Sequence, residues 1–379
     1  MIIATMAGMS LWFMTAAVLP DMAAEAGIDP AGLAWLSSAV QAGFVAGSLT
    51  FALTGIPDRM DPRRVFAVCA IGTAVANAGL LAAPVGGPGA ILLRFLTGAL
   101  MAGVWPIAMK IAIGWGTRDR GLMLGTLAGA LTAGKSVPYL LAWLGGADWR
   151  IALIMGSVLA AAGGGLALLS DLGPHHARAT TFRARAIGLA WTNRRIRAAI
   201  IGYLGHMWEM FVLWAWIGTA VTASFALRMP QADAVSLGKL TAFLCIAAGA
   251  PACVCAGALA DKIGKARVAA AALATSGAMA VLTAATFGGP VWLTLVQVIV
   301  WGAAVVPDSP QFSAIVADNA PPELAGSLVT FQASLGFLLT TFTVQAAPSV
   351  AAAWGWPLLL GLLALGPALG LLGMRPVFR

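Results

Sequence analysis

Six ionisable side chains fall inside long apolar runs: Arg94, Lys110, Lys135, His206, Glu209 and Asp308. A charge at the centre of a bilayer costs roughly 3 kcal/mol or more, so such residues mark a pathway or a site by default. In His206-x-x-Glu209 the two groups are three residues apart and share one helix face. Tyr203 lies three residues before His206. Removal from water disfavours charge on both His and Glu, and a side-by-side pair can pass a proton. The alternative is a neutral, hydrogen-bonded core pair. Asp308 sits in Pro307-Asp308-Ser309-Pro310-Gln311. Two prolines three apart disrupt a helix and free carbonyls, which lipid tolerates only where the backbone lines a cavity. Gln311, Gln332 and Gln345 add hydrogen-bonding capacity. Three embedded bases against two embedded carboxylates favour a small anionic solute. Arg94 and Lys135 would hold it, with Tyr139 four residues after Lys135. Lys110, near a span end, reads as a snorkelling base. Glu209, His206 and Asp308 would handle protons.

Some motif matches carry no chemistry. Gly129 to Ser136 fits the phosphate-binding pattern G-x-x-x-x-G-K-S letter for letter. That loop needs a preceding strand and N–H groups free to face phosphate. Here the string lies inside an apolar span, where its N–H groups serve the helix and its glycines permit close packing. Cys69, Cys245, Cys253 and Cys255 lie in apolar runs and read as small core residues. His175 and His176 have no third ligand nearby, so no metal site and no cofactor are expected.

The elements around these residues follow from composition. Of the 379 residues, 60% are hydrophobic and 9% charged. Mean hydropathy is +0.90. Soluble domains carry about 25% charged residues. A soluble enzyme, a nucleic-acid-binding module and a disordered regulator are thereby excluded. Apolar stretches occur near 1–20, 32–54, 65–84, 89–113, 121–144, 151–170, 197–223, 236–259, 268–286, 289–315, 325–346 and 354–373. Each is long enough to span a bilayer as a helix, and the alternation a membrane barrel requires is absent. The expected fold is therefore an all-α membrane protein with twelve transmembrane helices. The opening run reads as the first span rather than a cleaved leader.

Basic residues set the orientation. Sixteen of the 22 Lys and Arg fall on one side: Arg59, Arg63, Arg64, Arg118, Arg120, Arg178, Arg183, Arg185, Arg194, Arg195, Arg197, Lys262, Lys265, Arg267, Arg375 and Arg379. Arg150, Arg228 and Lys239 fall on the other. By the positive-inside rule both termini are cytoplasmic. The net charge of +8 thus reports topology, and no nucleic-acid partner is implied. Residues 171–196 form the only long connection, an Arg-rich amphipathic linker at the inner membrane face. It separates a six-helix bundle over 1–170 from another over 197–379.

The two bundles repeat one another. Asp58-Arg59-Met60-Asp61-Pro62-Arg63-Arg64 follows the second span, and Asp261-Lys262-Ile263-Gly264-Lys265-Ala266-Arg267 follows the eighth. The leading Asp residues are 203 apart. Gly98 and Pro106 in span 4 match Gly302 and Pro310 in span 10, at an offset of 204. Parallel halves around a midplane site are a transporter architecture. These loops resemble the signature loop of the major facilitator superfamily, and Arg94-x-x-x-Gly98 resembles that superfamily's span-4 motif. The first loop departs from the pattern at Thr54 and at Asp61-Pro62. The resemblance covers essentially the whole chain. It implies two pseudo-symmetric bundles and a gating role for Asp58, Arg59, Arg63, Arg64, Asp261, Lys262, Lys265 and Arg267 in latching the halves on the inner side. It also implies a coupling role for Arg94. The central cavity would be lined by spans 1, 4, 7 and 10, with Trp12, Trp105, Trp208, Trp216 and Trp301 as candidate lining residues. Met109 to Trp115 and His206-x-x-Glu209 resemble, loosely, carriers of the cyanate and nitrate/nitrite type. Nitrate carriers place an Arg in each of spans 2 and 8, which this chain lacks.

The expected function is a secondary active transporter and not an enzyme: no nucleophile–base pair or metal cluster supports catalysis. It would alternate access to one central site, coupled to protons, and move a small anion. Substrate contacts would come from Arg94, Lys135, Tyr139, Tyr203, Trp105, Trp216, Gln311 and Gln332. A proton-coupled exporter of drugs or metabolites is the alternative within the class, and a non-transporting membrane receptor the alternative outside it. The expected setting is a bacterial cytoplasmic membrane, with a monomer in contact with lipid.

Overall fold

The structure is a computed structural model. It describes all residues except 29–32, 55, 114, 116–119, 147, 175–185 and 379. For residues 52, 57, 58, 113, 120–124, 186, 187, 322 and 323 it describes the backbone alone. Among the described residues every regular element is helical. The helices are α1 (Ile2–Gly8), α2 (Met14–Ala26), α3 (Trp35–Thr54), α4 (Ile56–Arg59), α5 (Pro62–Ala78), α6 (Pro88–Met101), α7 (Trp105–Ile113), α8 (Arg120–Leu144), α9 (Trp149–Leu168), α10 (Ala186–Thr192), α11 (Arg194–Phe225), α12 (Gln231–Ile263), α13 (Lys265–Ala285), α14 (Val291–Val305), α15 (Asp308–Asp318), α16 (Pro322–Trp354), α17 (Trp356–Leu363) and α18 (Leu365–Gly373).

Helix starts follow their capping residues. Asp61 accepts from the Arg63 backbone N–H at the start of α5, with Pro62 at the first helical position. Asp148 does the same for α9 through the Arg150 N–H. Asn193 accepts from the N–H groups of Arg195 and Ile196 and fixes the start of α11. Nine helical stretches among the described residues are long and apolar enough to cross a membrane. The Gly129–Ser136 string lies within α8, as its apolar setting requires.

Three prolines stand at helix breaks, while Pro20, Pro138, Pro251 and Pro348 lie inside continuous helices. Pro106 cannot donate to the carbonyl of Ala102, and the helix opens between α6 and α7. Pro310 stands in the same relation to Val306, and the helix opens between α14 and α15. Pro367 does this for Leu363, where α17 ends. The first two breaks occupy matching places in the repeat. Span 1 breaks for a different reason: residues 9–13 form turns between α1 and α2, with no proline among them.

Close helix approach uses small residues, as expected where lipid offers no hydrophobic drive. A Cβ at Gly98 would overlap the Val40 carbonyl of α3, and one at Gly302 the Cys245 carbonyl of α12. Helices α1 to α7 and α9 pack chiefly on one another, as do α11 and α13 to α18, while α8 packs most extensively on α12 and α3 also meets α16 across the two groups. The exterior is apolar: Leu53, Val75, Val158, Leu169, Phe342 and Leu369 are exposed. Arg94, Lys135, His206, Glu209 and Asp308 are buried. This distribution is that of a chain whose solvent is lipid.

Candidate functional site

The centre of the molecule holds an ammonium among aromatic rings. Lys135, on α8, places Nζ 4.4 Å from the Trp12 ring centroid, 4.8 Å from Phe211 and 5.2 Å from Trp214. Trp12 comes from the turns between α1 and α2, Phe211 and Trp214 from α11. Phe44 of α3 and Phe337 of α16 extend the cage: centroids lie 4.9 Å apart for Trp12–Phe44, 4.4 Å for Phe44–Phe337 and 5.3 Å for Phe211–Phe337. Among the described residues no hydrogen bond or ion pair reaches Nζ. The ring faces attract it instead, worth about 2 kcal/mol for a desolvated pair. The indole N–H groups of Trp12 and Trp214 are buried and have no acceptor.

Deeper on α11 sit the titratable groups. His206 Nδ1 lies 2.8 Å from Asp308 Oδ1 of α15. The contact is close but bent away from hydrogen-bond alignment, and His206 Nε2 has no partner. Glu209 Oε1 accepts from Trp301 Nε1 at 2.6 Å, and Oε2 accepts from Ser276 Oγ at 2.9 Å. Both donors are neutral. The Tyr203 ring stacks 5.8 Å from His206. At 1.5 Å per residue, His206 and Phe211 are about 7.5 Å apart along the helix axis. The structure thus brings His206, Glu209, Asp308 and Tyr203 together, close to the Lys135 cage.

Arg94 is held by acceptors of the protein. Nε donates to the Leu36 carbonyl at 3.2 Å, Nη1 to Asn77 Oδ1 at 3.3 Å, and Nη2 to the carbonyls of Leu11 at 3.2 Å and Trp12 at 2.9 Å. Residues 9–13 have left the helical ladder: the Leu11 carbonyl keeps only a turn bond from the Met14 N–H, and the Trp12 carbonyl is met by Arg94. The planar fork of Arg reaches both at once. Arg94 therefore stitches the break in span 1 and fixes the backbone of Trp12, rather than facing the cage itself. Arg94→Ala leaves the Trp12 carbonyl and Asn77 Oδ1 without their donor, each worth about 1–3 kcal/mol. The expected result is a clear drop in the thermal unfolding temperature of the purified protein, with Arg94→Lys recovering only part. Unchanged unfolding of Arg94→Ala would refute the stitch.

Other expected contacts have their polar atoms on backbone. Tyr139 Oη donates to the carbonyls of Trp214 and Ala215 on α11. Trp216 Nε1 donates to the Val344 carbonyl at 3.0 Å, and Trp208 Nε1 to the Leu362 carbonyl at 3.1 Å. Trp105 is half-buried at the start of α7. Gln311 is buried on α15. Gln332 is buried with neither amide atom partnered.

Links between the two groups of helices gather at the end away from the basic loops. Lys239 Nζ on α12 lies 2.7 Å from Asp21 Oδ2 of α2, and also donates to the Gly146 carbonyl at 2.7 Å. Trp143 Nε1 donates to Ser236 Oγ at 3.2 Å, and Ser38 Oγ to Gln345 Oε1 at 2.6 Å. The expected latching loops behave otherwise. Arg63 bonds Asp61 and the Ser170 carbonyl, and holds the Asp61 carboxyl below the usual carboxylate range. Lys265 pairs with Asp318. Both partnerships stay within one group of helices. Arg59, Arg64, Asp261, Lys262 and Arg267 are exposed. The Asp58 side chain, His175, His176, Arg178, Arg183 and Arg185 lie outside the described residues.

Sequence reasoning passed over Asp21, Phe211, Trp214, Asn77 and Ser276. Asp21 directly follows Pro20 at the end of a span, which was a readable signal. Phe211 and Trp214 lie three apart on α11 and share a face. Nothing in Asn77 or Ser276 distinguishes them from other small polar residues in apolar helices.

Apolar helices around a buried, charge-bearing centre shared by two groups of spans define an integral membrane protein of the transporter class. The chain belongs to the Major Facilitator Superfamily, whose family model matches residues 1–344. A comparison with curated protein sequences finds no match. Among solved structures it is similar to a mutant of the nucleoside transporter NupG, with TM-score 0.78 at 15% identity, covering 100% of this chain and 98% of that one. It is also similar to a D-xylose-proton symporter, with TM-score 0.73 at 14% identity over 96% and 95%. A third similar structure is the human organic anion transporter MFSD10, with TM-score 0.68 at 17% identity over 99% and 98%. At these identities the likeness establishes the fold.

Proposed function

We propose that the chain is a proton-coupled secondary transporter of a small anion, working by alternating access to the Lys135 site. Its twelve spans form halves over 1–170 and 197–379, joined by the linker 171–196. Both termini and the basic loops face the cytoplasm, in a bacterial inner membrane. The observation that carries the anion reading is Lys135: a buried base with no acidic partner among the described residues, between rings from both groups of helices. Arg94 contributes by fixing Trp12 rather than by touching the solute.

Glu209 is the group that takes up and releases the proton, with His206 and Asp308 beside it. Its partners, Ser276 and Trp301, are neutral. Protonation breaks no ion pair there, because one oxygen keeps accepting while the other gains a hydroxyl proton. The Asp21–Lys239, Trp143–Ser236 and Ser38–Gln345 links hold the far end closed, so the solute would reach the site from the basic end.

The test is flux. Proteoliposomes holding a trapped pH dye are exposed to a panel of small anions and of neutral solutes. Anion-dependent proton movement that requires the protein is expected. Movement with neutral solutes alone would overturn the anion reading, and anion exchange without proton movement would overturn the coupling.

A further inference from the structure

The chemistry of the Lys135 cage restricts its occupant further, given the reading that this cage is the transport site. Its donors are one ammonium and two buried indole N–H groups without acceptors, those of Trp12 and Trp214. A buried donor lacking an acceptor is costly, so the complement is a compact set of acceptor oxygens. The charge required is single. Glu209 is bonded to Trp301 and Ser276, Asp308 is in contact with His206, and Asp21 is paired with Lys239. Of the buried bases, Arg94 is spent on carbonyls and Lys239 on Asp21, which leaves Lys135 alone to meet an anion. A second negative charge would lie buried without a partner.

The walls restrict the rest of the molecule. Trp12, Phe44, Phe211, Trp214 and Phe337 present rings in continuous contact, with neighbouring centroids between 4.4 and 6.0 Å. Rings pack best against another flat apolar body, offset or edge-on. A sugar or nucleoside would bury hydroxyl groups against ring carbons. An inorganic anion would make no use of the ring faces.

We propose that the cage takes a flat, apolar monocarboxylate, of which benzoate is the simplest. Its carboxylate lies on the Lys135 ammonium and the two indole N–H groups, and its ring lies among the aromatic walls. Binding draws Nζ off the ring faces and onto the carboxylate, exchanging cation–π contacts for stronger charge-assisted hydrogen bonds.

The experiment is calorimetric titration and thermal shift of the purified full chain in lipid nanodiscs with benzoate, benzamide, phthalate and nitrate. Benzoate should bind saturably and raise the unfolding temperature. Benzamide, which lacks the charge, and phthalate, which carries a second, should bind at least about tenfold more weakly, a gap of about 1.4 kcal/mol. Lys135→Met keeps the apolar stem and should abolish benzoate binding. Trp214→Phe keeps a ring, removes one N–H and should weaken binding severalfold, which serves if Lys135→Met fails to fold. Equal binding of benzamide, no benzoate binding, or wild-type binding in both variants would overturn the proposal. Benzoate binding without benzoate-driven proton movement keeps this assignment and removes the coupled-transport reading. Proton movement with nitrate or phthalate but not benzoate keeps transport and removes this assignment.

Discussion

Glu209→Gln should abolish gradient-driven uptake while leaving solute exchange intact. Gln has the shape of Glu, and its environment accepts it. Trp301 Nε1 can still donate to the amide oxygen. Ser276 Oγ, which also bonds the Leu273 carbonyl, can accept from the amide nitrogen. The fold should therefore survive, and any loss belongs to the proton. Accumulation driven by an imposed pH gradient should fall by about tenfold or more, since losing one obligatory step worth about 1.4 kcal/mol already costs that factor. Exchange of labelled for unlabelled solute at equal pH should stay near wild type. Wild-type accumulation by Glu209→Gln would remove Glu209 as the coupling acid and move attention to His206 and Asp308. Loss of both activities in a well-folded variant would make Glu209 part of solute binding instead.

Gly98→Ala and Gly302→Ala should each damage folding, although each adds a single methyl. The added carbon would overlap the backbone carbonyl of Val40 in one case and of Cys245 in the other. Backbone cannot rotate away as a side chain does, so α6 must separate from α3, or α14 from α12. Overpacking a tight core costs about 1–3 kcal/mol and more where backbone must move. Lower yield of monodisperse protein and a lower unfolding temperature are expected for both. Gly257→Ala on α12 is the control, because a Cβ there meets nothing within 4 Å. Relief of glycine's chain entropy should leave it unchanged or stabilised by roughly 0.5 kcal/mol. If Gly302→Ala were as stable as Gly257→Ala, the close crossing would not exist as described.

The paired glycines show why so much of the fold was legible. Gly98 and Gly302 recur at an offset of 204, and so do Pro106 and Pro310. The structure puts each glycine at the crossing with the preceding even-numbered span, and each proline in the first turn of the helix that follows a break. Hydropathy and proline act locally, through backbone hydrogen bonds that must close within the segment in lipid. Their effects can be read along the chain. The break in span 1 could not be read in this way. It depends on Arg94, some 80 residues away in sequence, meeting the Leu11 and Trp12 carbonyls.

The candidate site divides along the same line. His206 and Glu209 were readable as one helix face because the helix period alone makes them neighbours. Their partners were not: Asp308, Trp301 and Ser276 arrive from α15, α14 and α13. The sequence determined that this chain lives in lipid and is built of helices, and it singled out six titratable groups in apolar runs, of which five are buried and Lys110 is half-buried. Only the tertiary structure decided that Arg94 serves the backbone, that Lys239 closes on Asp21, and that Lys135 stands among aromatic rings without an acid among the described residues. Periodicity along one helix specifies which face a residue shares, whereas the partner of a buried charge is set by how separate helices cross.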